Sequence, residues 1–283
     1  MADGQLMQGK RGLVMGVAND HSIAWGIAKA VLDQGGDVAF TYLGDREQKR
    51  LERLLKPRGN KIVLPCDVEN DDQIDAVFDR LGREWGGIDF VVHAIAFSFR
   101  EELEGRYIDT TRENFTRSLA ISCYSFTAVA RRAVKLMKPG GSLLTLTYLG
   151  STRVTPNYNV MGVAKAALEG SVRYLAADLG PDGIRVNAIS AGPMRTLAGS
   201  VIGESRPVYR WNGFNSPLKT NIRLEHVGQA ALYFLSDMSS AVTAEIHHVD
   251  AGFNIISTPS SKDLKKYVET YPFETEEKSH ASD

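Results

Sequence analysis

Gly12-Leu13-Val14-Met15-Gly16-Val17-Ala18-Asn19-Asp20-His21-Ser22-Ile23-Ala24-Trp25-Gly26 is the stretch on which the fold turns. A short apolar run that stops at a glycine reads as a buried strand. Ile23, Ile27 and Val31 follow at helical spacing, and Gly35-Gly36 marks the end of that helix. Strand, glycine turn and helix N-terminus together make an anion cradle, because backbone N–H groups and the helix dipole converge where glycine lets the backbone come close. The spacing is Gly16-x5-Ser22-x3-Gly26 and not G-x-G-x-x-G, so this turn alone fits a plain strand–helix connection equally well. Ser22 is the candidate N-cap, with a hydroxyl that could also meet a phosphate.

The alternation continues outward. Apolar runs at Val38–Phe40, Ile62–Leu64, Asp89–Val92, Ser142–Leu146, Arg185–Ile189 and Glu245–Val249 read as further strands. Helical segments separate them: Arg46–Lys56, a face of Ile74, Val77, Phe78 and Leu81, a long stretch over 112–138, another over 158–179 and one near 225–236. Strands joined by helix-length crossovers imply a parallel sheet covered on both faces. The expectation is an α/β chain, a single doubly wound, Rossmann-type domain over residues 1–256 with seven strands flanked by helices. Residues 194–222 break the rhythm with Gly199, Gly203, Pro207, Gly213 and Pro217, as a segment covering a site would. Residues 257–283 read as a mobile tail, although Tyr267, Val268, Tyr271 and Phe273 could dock on a neighbour.

Composition narrows the function. Lys and Arg number 33 against 34 Asp and Glu, so no basic excess points to nucleic acid or an anionic membrane. No run of 18 apolar residues suggests a membrane span, and nothing at the start resembles a secretion signal. Cys66 and Cys123 are too few and too far apart for a zinc cluster or disulfide framework, so no metal is expected and a reducing, cytoplasmic setting is.

Two regions carry candidate chemistry. Strand two runs into Thr41-Tyr42-Leu43-Gly44-Asp45-Arg46, where neither an acid for a ribose 2′-hydroxyl nor a base for a 2′-phosphate is clean. Asp67, after strand three, suits an adenine contact or a helix N-cap. After strand five come Tyr148 and then Pro156-Asn157-Tyr158-Asn159-Val160-Met161-Gly162-Val163-Ala164-Lys165. Seven helical steps turn about 700°, which puts Tyr158 and Lys165 within about 20° of one face. Side chains lean toward the helix N-terminus, tipping Lys165 toward Tyr158. A lysine among small apolar residues needs a reason, either a snorkelling stem or a cofactor partner.

Tyr and Lys on this helix, with Val186-Asn187-Ala188-Ile189-Ser190-Ala191-Gly192-Pro193 after strand six, resemble the short-chain dehydrogenase/reductase superfamily. Ordinary members carry the tyrosine four residues before the lysine, where this chain has Met161. Tyr-x6-Lys with a second tyrosine at Tyr148, and Ala191-Gly192-Pro193-Met194-Arg195-Thr196-Leu197, resemble the bacterial NADH-dependent enoyl-[acyl-carrier-protein] reductases, over roughly residues 8–256.

That resemblance implies reduction of a trans-2-enoyl thioester carried on acyl carrier protein, by a homotetramer. It places Tyr148, Tyr158 and Lys165 in catalysis. It puts Gly16, Ser22, Ile23, Leu43, Asp67, Val68, Ile95, Lys165, Met194, Arg195, Thr196, Leu197 and Ala198 on NADH/NAD+, and Ser98, Tyr148, Tyr158, Met161 and Val201 on the acyl substrate. Leu43 replaces a common polar ribose contact, with Arg46 and Lys49 nearby, so NADPH tolerance is open. Ala96 stands where the family commonly has glycine. Arg195, Arg206, Arg210 and Lys219 could meet the acidic carrier or form a solvated face. A carbonyl reductase would want its tyrosine at position 161, and a non-catalytic dinucleotide sensor would not need the Tyr158–Lys165 pair.

Overall fold

The computed structural model describes residues 5–59, 61–194 and 205–271, the side chains of Ser205 and Arg206 excepted. Seven strands form one sheet: β1 (Arg11–Met15), β2 (Asp37–Tyr42), β3 (Val63–Pro65), β4 (Phe90–His93), β5 (Ser142–Thr147), β6 (Arg185–Ala191) and β7 (Ile246–Val249). Their order is β3-β2-β1-β4-β5-β6-β7, parallel at every pairing. The chain winds outward from β1, returns to β4 and winds outward the other way. This reversal opens a crevice at the C-terminal ends of β1 and β4, where ligands of such sheets bind.

The helices described are α1 (Ile23–Asp33), α2 (Asp45–Leu55), α3 (Asp71–Trp85), α4 (Arg112–Leu119), α5 (Ser125–Ala133), α6 (Asn159–Leu179), α7 (Ser205–Asn215), α8 (Leu224–Leu235) and α9 (Ser261–Thr270). Two cores lie on opposite faces of the sheet. Val14, Phe40, Phe90 and Leu144 pack with Ile27, Leu51 and Phe234 on one, and Leu13, Met15, Val91 and Leu143 pack with Phe78, Phe126 and Leu168 on the other. Successive strand residues thus point into different cores, which is why the strands read as unbroken apolar runs. At the far end of β6, the buried Arg185 guanidinium donates to the carbonyls of Phe234 (2.7 Å) and Ser236 (3.1 Å) and to Ser239 Oγ. It thereby satisfies backbone oxygens where α8 ends.

Three segments differ from the sequence reading. The stretch over 112–138 is not one regular helix: a π-helical turn, Ala120–Tyr124, separates α4 from α5, and α5 ends at Ala133. Within that turn the Ser122 hydroxyl ties to the Phe97 backbone, accepting from N–H (2.9 Å) and donating to C=O (3.2 Å). Inside 194–222 lies α7, which periodicity missed because Pro207 falls in its first turn, where proline is tolerated. Within the segment expected as a mobile tail, α9 is capped by Ser260 and packs Tyr267 edge-on against Trp211 (5.0 Å) and Phe214 (5.5 Å) of α7. Those aromatic partners are more than fifty residues away in sequence. Phe273 lies outside the described residues.

Among the described residues, no helix is long and apolar enough to cross a membrane, and no cluster of three metal-ligating side chains occurs. Cys66 and Cys123 are both free. Burial, reinforced by the charge of Asp67, pushes the Cys66 thiol up to about 11, so it stays protonated.

Candidate active site

At the crevice, Gly16 takes φ 94°, and a Cβ there would lie 2.1 Å from the Ala94 carbonyl oxygen. Only glycine lets β1 and β4 end side by side. Ser22 occupies the N-cap position of α1, yet its hydroxyl does not cap the helix. It accepts instead from the N–H groups of Ala18 (3.1 Å) and Asn19 (3.0 Å) and bonds Asn19 Oδ1 (3.2 Å), which folds the glycine turn back on itself. The start of α1 therefore carries no side-chain cap and no acidic residue in its first turn. By contrast, α3 and α4 are capped by Asn70 and Thr111. An uncapped helix start facing a glycine turn is the donor set a diphosphate requires, so the residues present fit a dinucleotide.

Along the rim, Asp67 is not an N-cap. Its Oδ1 accepts from the Glu69 N–H (2.9 Å), and its own N–H donates to Gln73 Oε1 (2.8 Å). Val68 and Ile95 are half-buried against the second core, and Ile23 and Met194 against the first. Leu43 is 70% exposed, with Arg46 and Lys49 also exposed nearby.

The tyrosines meet beyond the end of β5. The rings of Tyr148 and Tyr158 pack edge to face at 5.1 Å, and Leu103 and Met161 complete a small apolar cluster. A Cβ at Gly150 would lie 2.5 Å from Tyr158 Cδ1, and one at Gly162 would lie 2.8 Å from the Gly150 carbonyl oxygen. The Tyr158 ring thus rests on Gly150, and α6 rests on the same turn. Burial holds the Tyr158 phenol well above its ordinary range, with Tyr148 and Glu169 adding to the effect. Tyr148 is raised by burial too, partly offset by a hydrogen bond with Thr155. Both remain hydroxyl donors at neutral pH.

Lys165 neither snorkels nor waits free. Its side chain is buried, and Nζ donates to the Leu146 carbonyl on β5 at 2.8 Å. Burial lowers it to about 8, while Cys123 and Glu169 pull the other way. Glu169, one turn further along α6, is also buried and accepts from the Thr147 hydroxyl at 2.7 Å. The end of β5 therefore clasps α6 through adjacent residues. A charged residue four places after the lysine, on the same face of the helix, was the available signal for Glu169.

Beneath this site His93 is fully buried, with Nε2 2.7 Å from Ser125 Oγ and Nδ1 3.2 Å from Thr145 Oγ1. Ser125 gives its proton to the Ile121 carbonyl (2.6 Å), so the imidazole donates from Nε2. Burial, then the charge of Lys165, pushes His93 down to about 3 from 6.5. The folded pKa lies below the unfolded one, so the unfolded chain binds the proton first and stability falls as pH drops from about 6.5 toward 3. That loss is at most about 5 kcal/mol. His93→Gln should shrink the stability difference between about pH 7 and about pH 4 in urea unfolding; an unchanged difference would reject this assignment.

Ser98 is turned toward α4: its hydroxyl donates to Asn114 Oδ1 at 3.1 Å. Arg195, Thr196, Leu197, Ala198 and Val201 lie outside the described residues, as does the side chain of Arg206. Of the other basic residues, Arg210 lies over the Tyr271 ring at 4.8 Å, and Lys219 pairs with Asp263 at 3.1 Å. Both are held by α9 or its end and do not form an uncommitted docking patch.

Comparison with known proteins agrees with this geometry. Residues 16–254 match the family model described as enoyl-(acyl carrier protein) reductase. The chain is 59% identical over 260 residues to enoyl-[acyl-carrier-protein] reductase [NADH] 2 of Rhizobium meliloti, covering 92% of this chain and 97% of that protein. The crystal structure of the Anaplasma phagocytophilum reductase in complex with NAD is 52% identical, with a TM-score of 0.87 over 92% of this chain and 98% of that one. The Bacillus cereus reductase with NADP+ and an indole naphthyridinone is 48% identical, with a TM-score of 0.88 over 90% and 100%. With the paired tyrosines, the buried lysine and the open helix start, these matches place the chain in the enoyl-(acyl carrier protein) reductase family.

Proposed function

We infer that the protein reduces the trans-2 double bond of enoyl-acyl-carrier-protein thioesters, the last step of each fatty-acid elongation cycle. NADH, when bound, supplies the hydride delivered to C3. The observation that carries this reading is the place of the phenol. Tyr158 lies one helical turn before Met161, about 5 Å along the axis from the position used for ketones. Hydride at C3 of a conjugated thioester drives negative charge onto the carbonyl oxygen, away from the carbon attacked. A donor displaced along the helix meets that oxygen.

Tyr158 hydrogen-bonds the developing enolate oxygen, from an apolar pocket that makes the bond strong. Tyr148 and Met161 offer apolar wall for the acyl chain, with Ser98 near the thioester, and Val201, outside the described residues, is assigned to the same chain by the resemblance. Lys165 spends one of its three N–H bonds on Leu146, and the other two hold the nicotinamide-ribose hydroxyls. Its positive charge also favours the enolate. Gly16, Ser22 and Ile23 form the diphosphate cradle, and Asp67, Val68 and Ile95 flank the adenosine half. Met194 and the four residues after it serve the nicotinamide. Exposed Leu43 makes no polar demand on the ribose, so NADPH is tolerated beside the preferred NADH.

In this reading residues 1–256 are one catalytic unit in the cytoplasm, with 194–222 covering the site. The resemblance implies a homotetramer, and the outer face of α5 and α6, where Thr127, Ala167, Ser171, Tyr174 and Leu175 line an open groove of about 420 Å³, is a surface it could use. Tyr174 is exposed on α6, and Tyr124 is exposed on the π-helical turn that leads into α5. The deciding experiment follows NADH and NADPH absorbance with a crotonyl thioester. Oxidation that depends on the thioester, faster with NADH, is expected. Turnover of simple ketones with none of the enoyl thioester would overturn the reading.

A further inference from the structure

Tyr158 sits between two residues in the left-handed region, with φ 56° at Asn157 and 35° at Asn159. Backbone of this kind is uncommon outside glycine and persists only where the surroundings over-determine it. At Asn159 the surroundings are specific. Its Nδ2 donates to the Glu102 carbonyl at 3.1 Å and reaches the Gly105 carbonyl at 3.5 Å. An asparagine at the start of a helix ordinarily spends its side chain on that helix. This one spends it on a loop more than fifty residues away.

That loop is itself fastened. The Glu102 carboxylate accepts from Thr111 N–H (2.9 Å), Thr111 Oγ1 (2.8 Å) and Asn114 Nδ2 (3.1 Å) at the start of α4. The next residue, Leu103, is buried in the cluster with Tyr158 and Met161. The same turn therefore grips Asn159 by hydrogen bonds and presses on the Tyr158 ring by packing. We propose that Asn159 is a positioning residue: its amide latches the first turn of α6 to the Glu102–Gly105 turn and so aims the Tyr158 hydroxyl. The proposal rests on Tyr158 being the enolate donor.

Three variants test it: Asn159→Asp, which keeps size but has no N–H to donate; Asn159→Gly, which tolerates the backbone without the amide; and the double variant with Tyr158→Phe. Thermal melting establishes folding, and the isosteric Asp variant carries the test should the Gly variant not fold. Each single variant is expected to lose on the order of 10- to 100-fold in kcat with crotonyl thioester. NADH affinity, from fluorescence titration without substrate, should stay within about two-fold, because the latch does not touch the cofactor cradle. The double variant should be no slower than Tyr158→Phe alone, since a latch has nothing to aim once the hydroxyl is gone. Wild-type kcat in folded Asn159 variants, NADH affinity falling in step with kcat, or losses that multiply in the double variant would each overturn the proposal. Full activity in Tyr158→Phe would instead remove the donor assignment, and the latch with it.

Discussion

Lys165→Met should leave the protein folded and no less stable while weakening NADH binding and turnover together. The two effects have one cause. Burial makes the ammonium costly in the folded state, lowering Lys165 to about 8 against 10.5. Keeping it charged at neutral pH costs up to about 3 kcal/mol of stability, and that cost is relieved as pH rises from about 8 toward 10.5. Methionine has similar length and no charge to desolvate, so its melting temperature should match or exceed that of the parent near pH 7. Its stability should also lack the parent's rise above pH 8. The function that the cost supports disappears: no donor remains for the ribose hydroxyls, and the positive potential beside the enolate is lost. A fall in kcat/KM of roughly 10³-fold or more is expected, with NADH affinity reduced in fluorescence titration. A variant that is plainly less stable yet binds NADH normally would show that Lys165 serves only to hold α6 to Leu146.

Tyr158→Phe should lower kcat by about 10²–10³ while leaving NADH affinity unchanged. Phenylalanine keeps the edge-to-face packing on Tyr148 and the fit over Gly150, so the difference isolates one hydroxyl. The loss should fall on kcat because the carbonyl oxygen gains its charge only in the transition state. The phenol also stays a donor at every working pH. With burial holding its pKa up, it keeps its proton across the working pH range, and no alkaline limb near neutrality should belong to it. Rapid-mixing measurement of hydride transfer, separated from product release, checks this. An unchanged rate would leave the enolate to another donor.

Much of this site was legible before any coordinates. Residues 12–16 read as strand and turn because β1 is apolar on both faces, and the Tyr158–Lys165 face follows from helical pitch alone. What escaped reading is contact between distant segments. Nothing near Ser22 says that its hydroxyl turns back to Ala18 and Asn19 and not onward to α1. Nothing near Asn159 names the Glu102 carbonyl. His93 was visible as a residue, but its neutral state depends on Ser125, Thr145 and burial, which only the fold brings together. For the tail, Tyr267 was visible as a docking side chain but its partners were not: α9 has its own cap at Ser260, whereas Trp211 and Phe214, the surface it needs, belong to a helix that proline and glycine disguised.

The stack in which α6 rests on the Gly150 carbonyl and the Tyr158 ring rests on Gly150 limits how this enzyme can escape a drug. A molecule wedged against Tyr158 invites resistance from whichever neighbours can grow. Positions 150 and 162 cannot, because a methyl at 150 would strike the Tyr158 ring and one at 162 would strike the Gly150 carbonyl beneath it.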